Sequence, residues 1–120
     1  MTAAHMICVL LPIQIISEAN QREHWRPKAA RAKSHRTCAA WELLRHPRPA
    51  TENAVRIVLT RIAPRLLDDD NLAGGFKATR DGVADWLCID DGSPRLTWVY
   101  RQRKGGVKEY GAEILVEWEE

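Results

Sequence analysis

The chain has 120 residues, of which 45% are hydrophobic and 28% are charged, and this composition excludes an intrinsically disordered protein. The length supports one hydrophobic core and excludes two independently folded domains. The formal net charge is only +2, so the distribution of charge along the chain says more about partners than the total does.

Basic residues are concentrated in the first part of the sequence. Residues 1–49 contain eight Lys and Arg against three Glu, a balance of +5, whereas residues 50–120 contain ten against thirteen, a balance of −3. All eight early bases fall between Arg22 and Arg48, together with three of the four histidines. Such a segment suits a polyanion such as nucleic acid. The alternative is an ordinary solvated helix face.

Three widely spaced cysteines, Cys8, Cys38 and Cys88, include no CxxC pair. An odd, scattered set favours a reducing, cytoplasmic setting over a disulfide framework. The apolar run over residues 6–16 has no Lys or Arg before it and is too short to cross a membrane. We therefore expect no membrane partner, and we expect this run to form a buried first strand.

Residues 27–44 are predicted to form the first helix. They are rich in Ala and basic residues, and Thr37, Trp41 and Leu44 recur at helical spacing. The His-Pro-Arg-Pro sequence that follows ends the helix, because proline cannot continue one. The next segment, residues 54–62, alternates well enough to predict a strand with Val55, Ile57 and Leu59 on one face.

Residues 72–87 predict a second helix with one apolar stripe, made of Leu72, Phe76, Thr79, Val83 and Trp86. Residues 95–103 and 109–118 predict two strands, and the Gly-Gly pair between them is typical of a hairpin. In the second strand, alternation places one set of side chains on a single face: Ala112, Ile114, Val116 and Trp118. The predicted order is strand, helix, strand, helix, strand, strand. We expect one α+β domain over residues 1–120, in which a small mixed sheet packs against two main helices.

Seven acidic residues lie between residues 65 and 94, although like charges at such density repel one another. Asp68, Asp69 and Asp70 precede the second helix, and the pair Asp90-Asp91 follows it. Helix capping explains one or two of the first three carboxylates but not the second pair. An EF-hand calcium loop fails in either possible register, because its fifth position is apolar.

The remaining interpretation is a magnesium site for phosphodiester chemistry. Mg²⁺ prefers a few carboxylate oxygens, with water and substrate phosphate completing its octahedron, and paired ions can hold the attacking and leaving oxygens of a phosphodiester. Lys77 lies two helical turns after Asp70, and Asp81 follows one turn later. Lys77 either holds the scissile phosphate or forms an ordinary surface pair with Asp81.

The order of these residues resembles the signature of a known family. Asp68-Asp69-Asp70-Asn71-Leu72, then Lys77, Asp81 and Asp90-Asp91 before a strand are similar to the RusA family of Holliday-junction resolvases, and residues 61–106 look most like its phage-encoded branch. The resemblance implies a small α+β homodimer that cuts four-way DNA with Mg²⁺, or with Mn²⁺ in its place, by paired symmetric nicks. It also implies a role in recombination and repair in a bacterial or phage-infected cell, with no small-molecule cofactor.

The resemblance also implies particular site residues. The family's Asp-x-Asp-Asn motif falls on Asp68, Asp70 and Asn71, its second catalytic acid on Asp91, and its lysine on Lys77. It therefore implies Asp68, Asp70 and Asp91 as magnesium ligands, with Lys77 as the fourth catalytic residue.

Two features of the signature leave alternatives open. Either Asp68 or Asp69 is the second ligand of the first motif. Lys77 also follows Asn71 at a greater distance than in the best-known members, with Gly74-Gly75 in the gap. Asp81 and Asp90 are secondary candidates.

The basic segment supplies the expected DNA contacts. Lys and Arg there would hold backbone phosphates, which position DNA without reading its sequence; they are Arg22, Arg26, Lys28, Arg31, Lys33 and Arg36. Trp25, among these bases, is a candidate for stacking at the junction centre, whereas Trp86, Trp98 and Trp118 are predicted to belong to the core. The competing hypotheses are a non-catalytic module that binds branched DNA and a structural protein whose aspartates bind a stabilising ion.

Overall fold

The computed structural model describes residues 3–17, 25–50 and 52–120. These residues form seven elements: β1 (Ala4–Leu11), α1 (Trp25–Leu43), β2 (Val55–Ala63), α2 (Asp69–Gly75), α3 (Lys77–Leu87), β3 (Leu96–Lys104) and β4 (Gly111–Glu119). The predicted α+β order is confirmed, with the second helix divided into α2 and α3. Within the described ranges, no helix combines the length and apolar character needed to cross a membrane.

The strands form one mixed sheet in the order β1-β4-β2-β3. β4 runs antiparallel to both neighbours, β1 and β2, whereas β2 and β3 are parallel. It follows that β1 and β2 are parallel as well. The two connections between parallel strands, β1 to β2 and β2 to β3, contain the helices, as crossover connections require.

The predicted hairpin between the last two strands is wrong. β3 pairs with one side of β2, and β4 pairs with the other, from Gly111 opposite Ile62 to Trp118 opposite Val55. All nine residues of β2 are buried or half-buried, so the peptide groups on both sides of this strand need partners. That requirement outweighs the local turn signal of Gly-Gly, and residues 105–110 carry the chain past the end of β2.

The three helices pack on one face of the sheet, and a single core cluster joins them to inward-facing residues of all four strands. The stripe predicted on the second helix is confirmed, since all five of its residues are buried. Trp86 and Trp118 are buried as predicted, and Trp98 is partly buried against the same cluster. The inward face predicted for the last strand is also confirmed by the burial of Ala112, Ile114, Val116 and Trp118.

The first helix is confirmed as α1, but the residues whose spacing predicted it are exposed: Thr37 and Trp41 on its outer side, and Leu44 just beyond its end. The side that packs on α3 has small residues instead, such as the fully buried Ala39. A Cβ atom at Gly82 of α3 would collide with the Arg36 carbonyl oxygen. Such a close approach of two helix backbones selects small side chains, which a search for large apolar residues does not detect.

β1 is shorter than the predicted first strand and is buried on one side only. Strand pairing ends at Leu11, and residues 12–17 continue without it. β1 is an edge strand, in which Ile7 and Val9 face the core, whereas Met6 and Leu10 are 69% and 63% exposed to solvent. The predicted first strand is therefore confirmed, but its bounds of residues 6–16 are wrong, and only one of its faces is buried.

Candidate functional site

The first acidic motif begins α2. Asp68 is the N-cap residue, with an extended backbone, and its carboxylate accepts a hydrogen bond from the Asn71 amide at 3.0 Å. Asp69 and Asp70 lie in the first helical turn, where the helix dipole favours negative charge. Both side chains are exposed and form no hydrogen bond or ion pair with another described residue. The motif thus contains one carboxylate with a structural role and two that are open to an outside partner.

Asn71 and Gly75 attach α2 to the segment that follows β1. The Ser17 hydroxyl, which is buried, donates to the Asn71 side-chain oxygen at 2.8 Å. A Cβ atom at Gly75 would lie only 2.6 Å from the Ile16 carbonyl oxygen. Asn71 therefore acts as a structural contact here, and Gly75 allows the close packing beside it.

Phe76 marks a bend between α2 and α3. Its amide donates to the carbonyls of Leu72 and Ala73, both at 3.2 Å, and its fully buried side chain anchors the bend in the core. Lys77 then begins α3 with its side chain 72% exposed, and its Nζ lies 3.1 Å from an Asp81 oxygen. Lys77 therefore forms the surface pair with Asp81 that was one of its two interpretations, and it remains accessible to solvent.

The second acidic motif is held by Arg80, which the sequence reasoning missed. Arg80 Nε donates to the Asp91 carboxylate at 2.9 Å, and its two Nη groups donate to the Asp91 carbonyl at 3.0 Å and to the Tyr100 hydroxyl at 2.9 Å. The guanidinium lies 4.6 Å over the Trp98 ring. Burial lowers the pKa of Arg80, but the hydrogen bonds to Tyr100 and Asp91 outweigh it and leave this pKa above its ordinary value.

Asp90 and Asp91 open on a cleft of about 350 Å³ along α3, which we call the acidic cleft. Four carboxylates line it, together with Arg36 of α1: those of Asp81, Asp85, Asp90 and Asp91. Three of them have a basic partner, since Lys77, Arg36 and Arg80 bind Asp81, Asp85 and Asp91 respectively. Asp90 accepts a hydrogen bond from the Gly92 amide at 3.2 Å.

Asp85 is a second residue that the sequence reasoning missed. Arg36 donates to both of its carboxylate oxygens, at 2.7 and 2.8 Å. These hydrogen bonds hold the pKa of Asp85 below its ordinary value, and they raise the pKa of Arg36. The spacing of four residues between Asp81 and Asp85 was a usable signal, because it places both carboxylates on one side of a helix.

The magnesium ligands implied by the resemblance do not converge in this structure. Asp68 and Asp70 lie at the start of α2, whereas Asp91 lies beyond the end of α3. Because β2 and β3 are parallel, the segment between them must return from the end of one to the start of the other, at opposite ends of the sheet. Among residues 3–17, 25–50 and 52–120, no three His, Cys, Asp or Glu side chains are arranged to hold a metal ion. These three aspartates do not fit one shared metal site here.

The predicted DNA contacts that the structure describes lie on α1. Arg26, Lys28, Lys33 and Arg36 are exposed, and Arg31 is half-exposed. Arg36 is engaged with Asp85, whereas Lys28 and Lys33 form no hydrogen bond or ion pair with another described residue. Arg22 and the Trp25 side chain lie outside the described part of the chain.

No protein-family model matches this chain, and no curated protein matches it at a significant level. The likeness to the resolvase family is therefore carried by the acidic signature itself.

Proposed function

We propose that the protein is a metal-dependent endodeoxyribonuclease that resolves four-way or otherwise branched DNA in the cytoplasm of a bacterial or phage-infected cell. The observation that carries the proposal is the acidic cleft, whose four carboxylates lie directly beside the basic helix α1. Carboxylates repel DNA phosphates, so a surface built only for binding gains nothing from them. Phosphodiester hydrolysis, in contrast, uses cationic side chains that hold the phosphate and carboxylates that bind the catalytic metal ion.

The residues divide between these two tasks. The unpaired Lys28 and Lys33 of α1 are proposed to contact backbone phosphates. Asp91, in the acidic cleft, is the proposed catalytic carboxylate, and it can act only after it exchanges Arg80 for another partner. Asp70 lies outside this cleft, so its part in the reaction rests on the resemblance alone and is tested separately. Mg²⁺ is the proposed cofactor, since it is commonly held by few carboxylates and shared with a substrate phosphate.

A non-catalytic module that binds branched DNA is the second candidate, and one observation favours it. The carboxylates of Asp81, Asp85 and Asp91 already have basic partners. The Arg36–Asp85 pair joins α1 to α3, and the Arg80–Asp91 pair holds the loop before β3 on α3. Acids with these contacts can have a purely structural role.

We also propose a homodimer that forms through the sheet face opposite the helices. An apolar row crosses this face in register through all four strands, made of Cys8, Leu115, Val58 and Val99. Met6 and Leu10 are exposed on the same face, and a second copy would cover them. A twofold dimer would present two equal sites to a junction with matching symmetry. Leu10→Lys should then shift the mass measured by light scattering from dimer to monomer.

The decisive experiment compares cleavage of a mobile four-way junction and of a linear duplex with the same arm sequences. Each is incubated with Mg²⁺, with Mn²⁺ and with chelator, using wild type, Asp70→Asn and Asp91→Asn. Glu109→Gln, at an exposed acid of the loop before β4, is the matched control. We expect paired nicks in the junction only, dependent on metal, lost in Asp91→Asn and retained in the control. Loss in Asp70→Asn as well would add the first acidic motif to the catalytic residues.

Two results would contradict this proposal. Tight binding of the junction without cleavage in either metal would exclude the nuclease and leave the DNA-binding module. Undiminished cleavage by Asp91→Asn would exclude the assigned catalytic residue, and undiminished cleavage by Asp70→Asn would exclude a role for the first acidic motif. Because Asp91→Asn also weakens the contact with Arg80, its unfolding transition is measured beside wild type to separate lost chemistry from lost structure.

A further inference from the structure

A second cavity, of about 320 Å³, lies between α1 and the bend that joins α2 to α3. Its apolar surface comes from small residues: Ala32, Gly74, Gly75 and Ala78. Two exposed lysines, Lys28 of α1 and Lys77 of α3, line it as well, together with Asp81 and the buried His35. The charged side chains of Lys28, Lys77 and Asp81 give it a net positive charge.

Gly74 keeps this cavity open, although neither the backbone nor the packing requires a glycine there. Its φ angle is not positive, and no atom lies within 4 Å of the position that its Cβ would take. Glycine inside a helix costs about 1 kcal/mol relative to alanine. The neighbouring Gly75, in contrast, is required by its contact with the Ile16 carbonyl. The clearest effect of having no side chain at position 74 is therefore that the cavity stays open.

We propose that this cavity binds one unpaired nucleotide of a DNA strand, with the base against the small residues and the phosphate between Lys28 and Lys77. The volume lies near the lower limit for small-molecule sites, roughly 300 Å³, and admits one nucleotide but no segment of duplex. Lys77 has three N–H donors, so it can keep Asp81 and still donate to a phosphate. The proposal rests on the proposed function in taking DNA as the polyanion, but it requires no cleavage.

The position of the cavity gives such a nucleotide a role in selectivity. Asp81 lines both this cavity and the acidic cleft, so an inserted nucleotide would place the adjoining strand at the acidic cleft. Extracting a base from a duplex costs a few kcal/mol and costs least where pairing is already broken. Branch points offer such nucleotides, and uninterrupted duplex does not.

The test measures binding of deoxyadenosine 5′-monophosphate to ¹⁵N-labelled protein by NMR, without divalent metal. We expect the nucleotide to shift the amide signals of Gly74, Gly75 and Ala78. Deoxyadenosine, which lacks the phosphate, and inorganic phosphate, which lacks the base, should each bind at least about tenfold more weakly, as loss of one charged hydrogen bond or of the apolar contact predicts.

Variants distinguish nucleotide binding in the cavity from nonspecific attraction of the phosphate to the basic surface. Gly74→Leu fills the cavity from a position with free space and should abolish the shifts while the remaining spectrum is preserved. Lys28→Gln should weaken nucleotide binding about tenfold, whereas Lys104→Gln, an exposed lysine at the end of β3, should not change it. Equal affinity of Gly74→Leu and wild type, or shifts confined to amides outside the cavity, would overturn the proposal.

The outcome is distinguishable from that of the nuclease experiment. Junction cleavage without nucleotide binding would reject the cavity and keep the nuclease. Nucleotide binding that Gly74→Leu abolishes, without cleavage in either metal, would keep the cavity and leave a DNA-binding module.

Discussion

Two adjacent glycines of α2 should respond in opposite directions to the same substitution. Gly74→Ala should stabilise the protein by about 1 kcal/mol, because alanine has the better helix propensity and its methyl group meets no atom within 4 Å. Gly75→Ala has the same gain in propensity. Its Cβ, however, would lie 2.6 Å from the Ile16 carbonyl oxygen and 2.9 Å from a methyl group of the buried Ile15.

The contact at Gly75 decides the sign there. Overpacking a well-packed site costs about 1–3 kcal/mol, and the backbone carbonyl cannot move aside as a flexible side chain can. The propensity gain is common to both substitutions and cancels when the two variants are compared. We therefore expect Gly75→Ala to be less stable than Gly74→Ala by about 1–3 kcal/mol. After subtraction of its own propensity gain of about 1 kcal/mol, Gly75→Ala should be less stable than wild type by up to about 2 kcal/mol.

Urea and thermal unfolding followed by circular dichroism would measure both changes. Unfolding entropy of about 2.1 cal/mol/K per residue makes 1 kcal/mol worth roughly 4 °C in Tm for a chain of this length. Gly74→Ala should raise Tm by about 4 °C, and Gly75→Ala should lower it. Equal Tm shifts in the two variants would refute the reasoning, because they would show that the contact of a Cβ at position 75 with residues 15 and 16 costs no stability.

Three further predictions follow from individual side chains. The pKa of Asp85 is lowered by Arg36. Its ion pair therefore stabilises the protein above about pH 4, the pKa of an unfolded-state Asp, and this stabilisation is lost as the pH falls through the folded-state pKa. In urea unfolding, Asp85→Asn should cost about 0.5 kcal/mol at pH 7 and nothing in strong acid. Partial burial and the neighbouring Glu113 raise the pKa of the Cys8 thiol. The rate at which iodoacetamide modifies Cys8, followed by mass spectrometry, should therefore reach half its plateau at a higher pH than for a free cysteine, and at a lower pH in Glu113→Gln than in wild type. The Thr79 hydroxyl is buried without a hydrogen-bond partner among the described residues, so Thr79→Val should raise stability by about 1 kcal/mol in urea, and a loss would indicate a hidden partner.

The inward faces of β2 and β4 could be predicted because alternation along a strand depends only on the strand itself. Val55, Ile57 and Leu59 must share a face whichever strands lie beside them. The pairing of the last two strands could not be predicted in the same way. The Gly-Gly signal is local, whereas the position of β4 is decided by the two unpaired sides of β2.

The residues that surround the second acidic motif were beyond prediction for a related reason. Arg80 and Asp91 are eleven positions apart and meet only because the loop before β3 folds back on α3. Arg36 and Asp85 meet because α1 and α3 approach closely at Gly82. No periodic pattern encodes either contact. The acidic signature could be read in order along the chain, but the distances between its members depend on the crossover between β2 and β3.

The basic partners also explain how four carboxylates can lie in one cleft despite their mutual repulsion. Like charges a few ångströms apart cost about 1 kcal/mol each in water, and surface ion pairs return a similar amount. With three cationic partners the four carboxylates leave a net charge of −1 rather than −4, so a DNA backbone can approach the acidic cleft. Arg36 and Lys77, the two exposed cations, can also turn from their carboxylates to a phosphate, which would leave those carboxylates available beside the DNA. A protein that only binds DNA would reach a better charge by having neither the acids nor their partners, and this is the physical reason for placing the nuclease first.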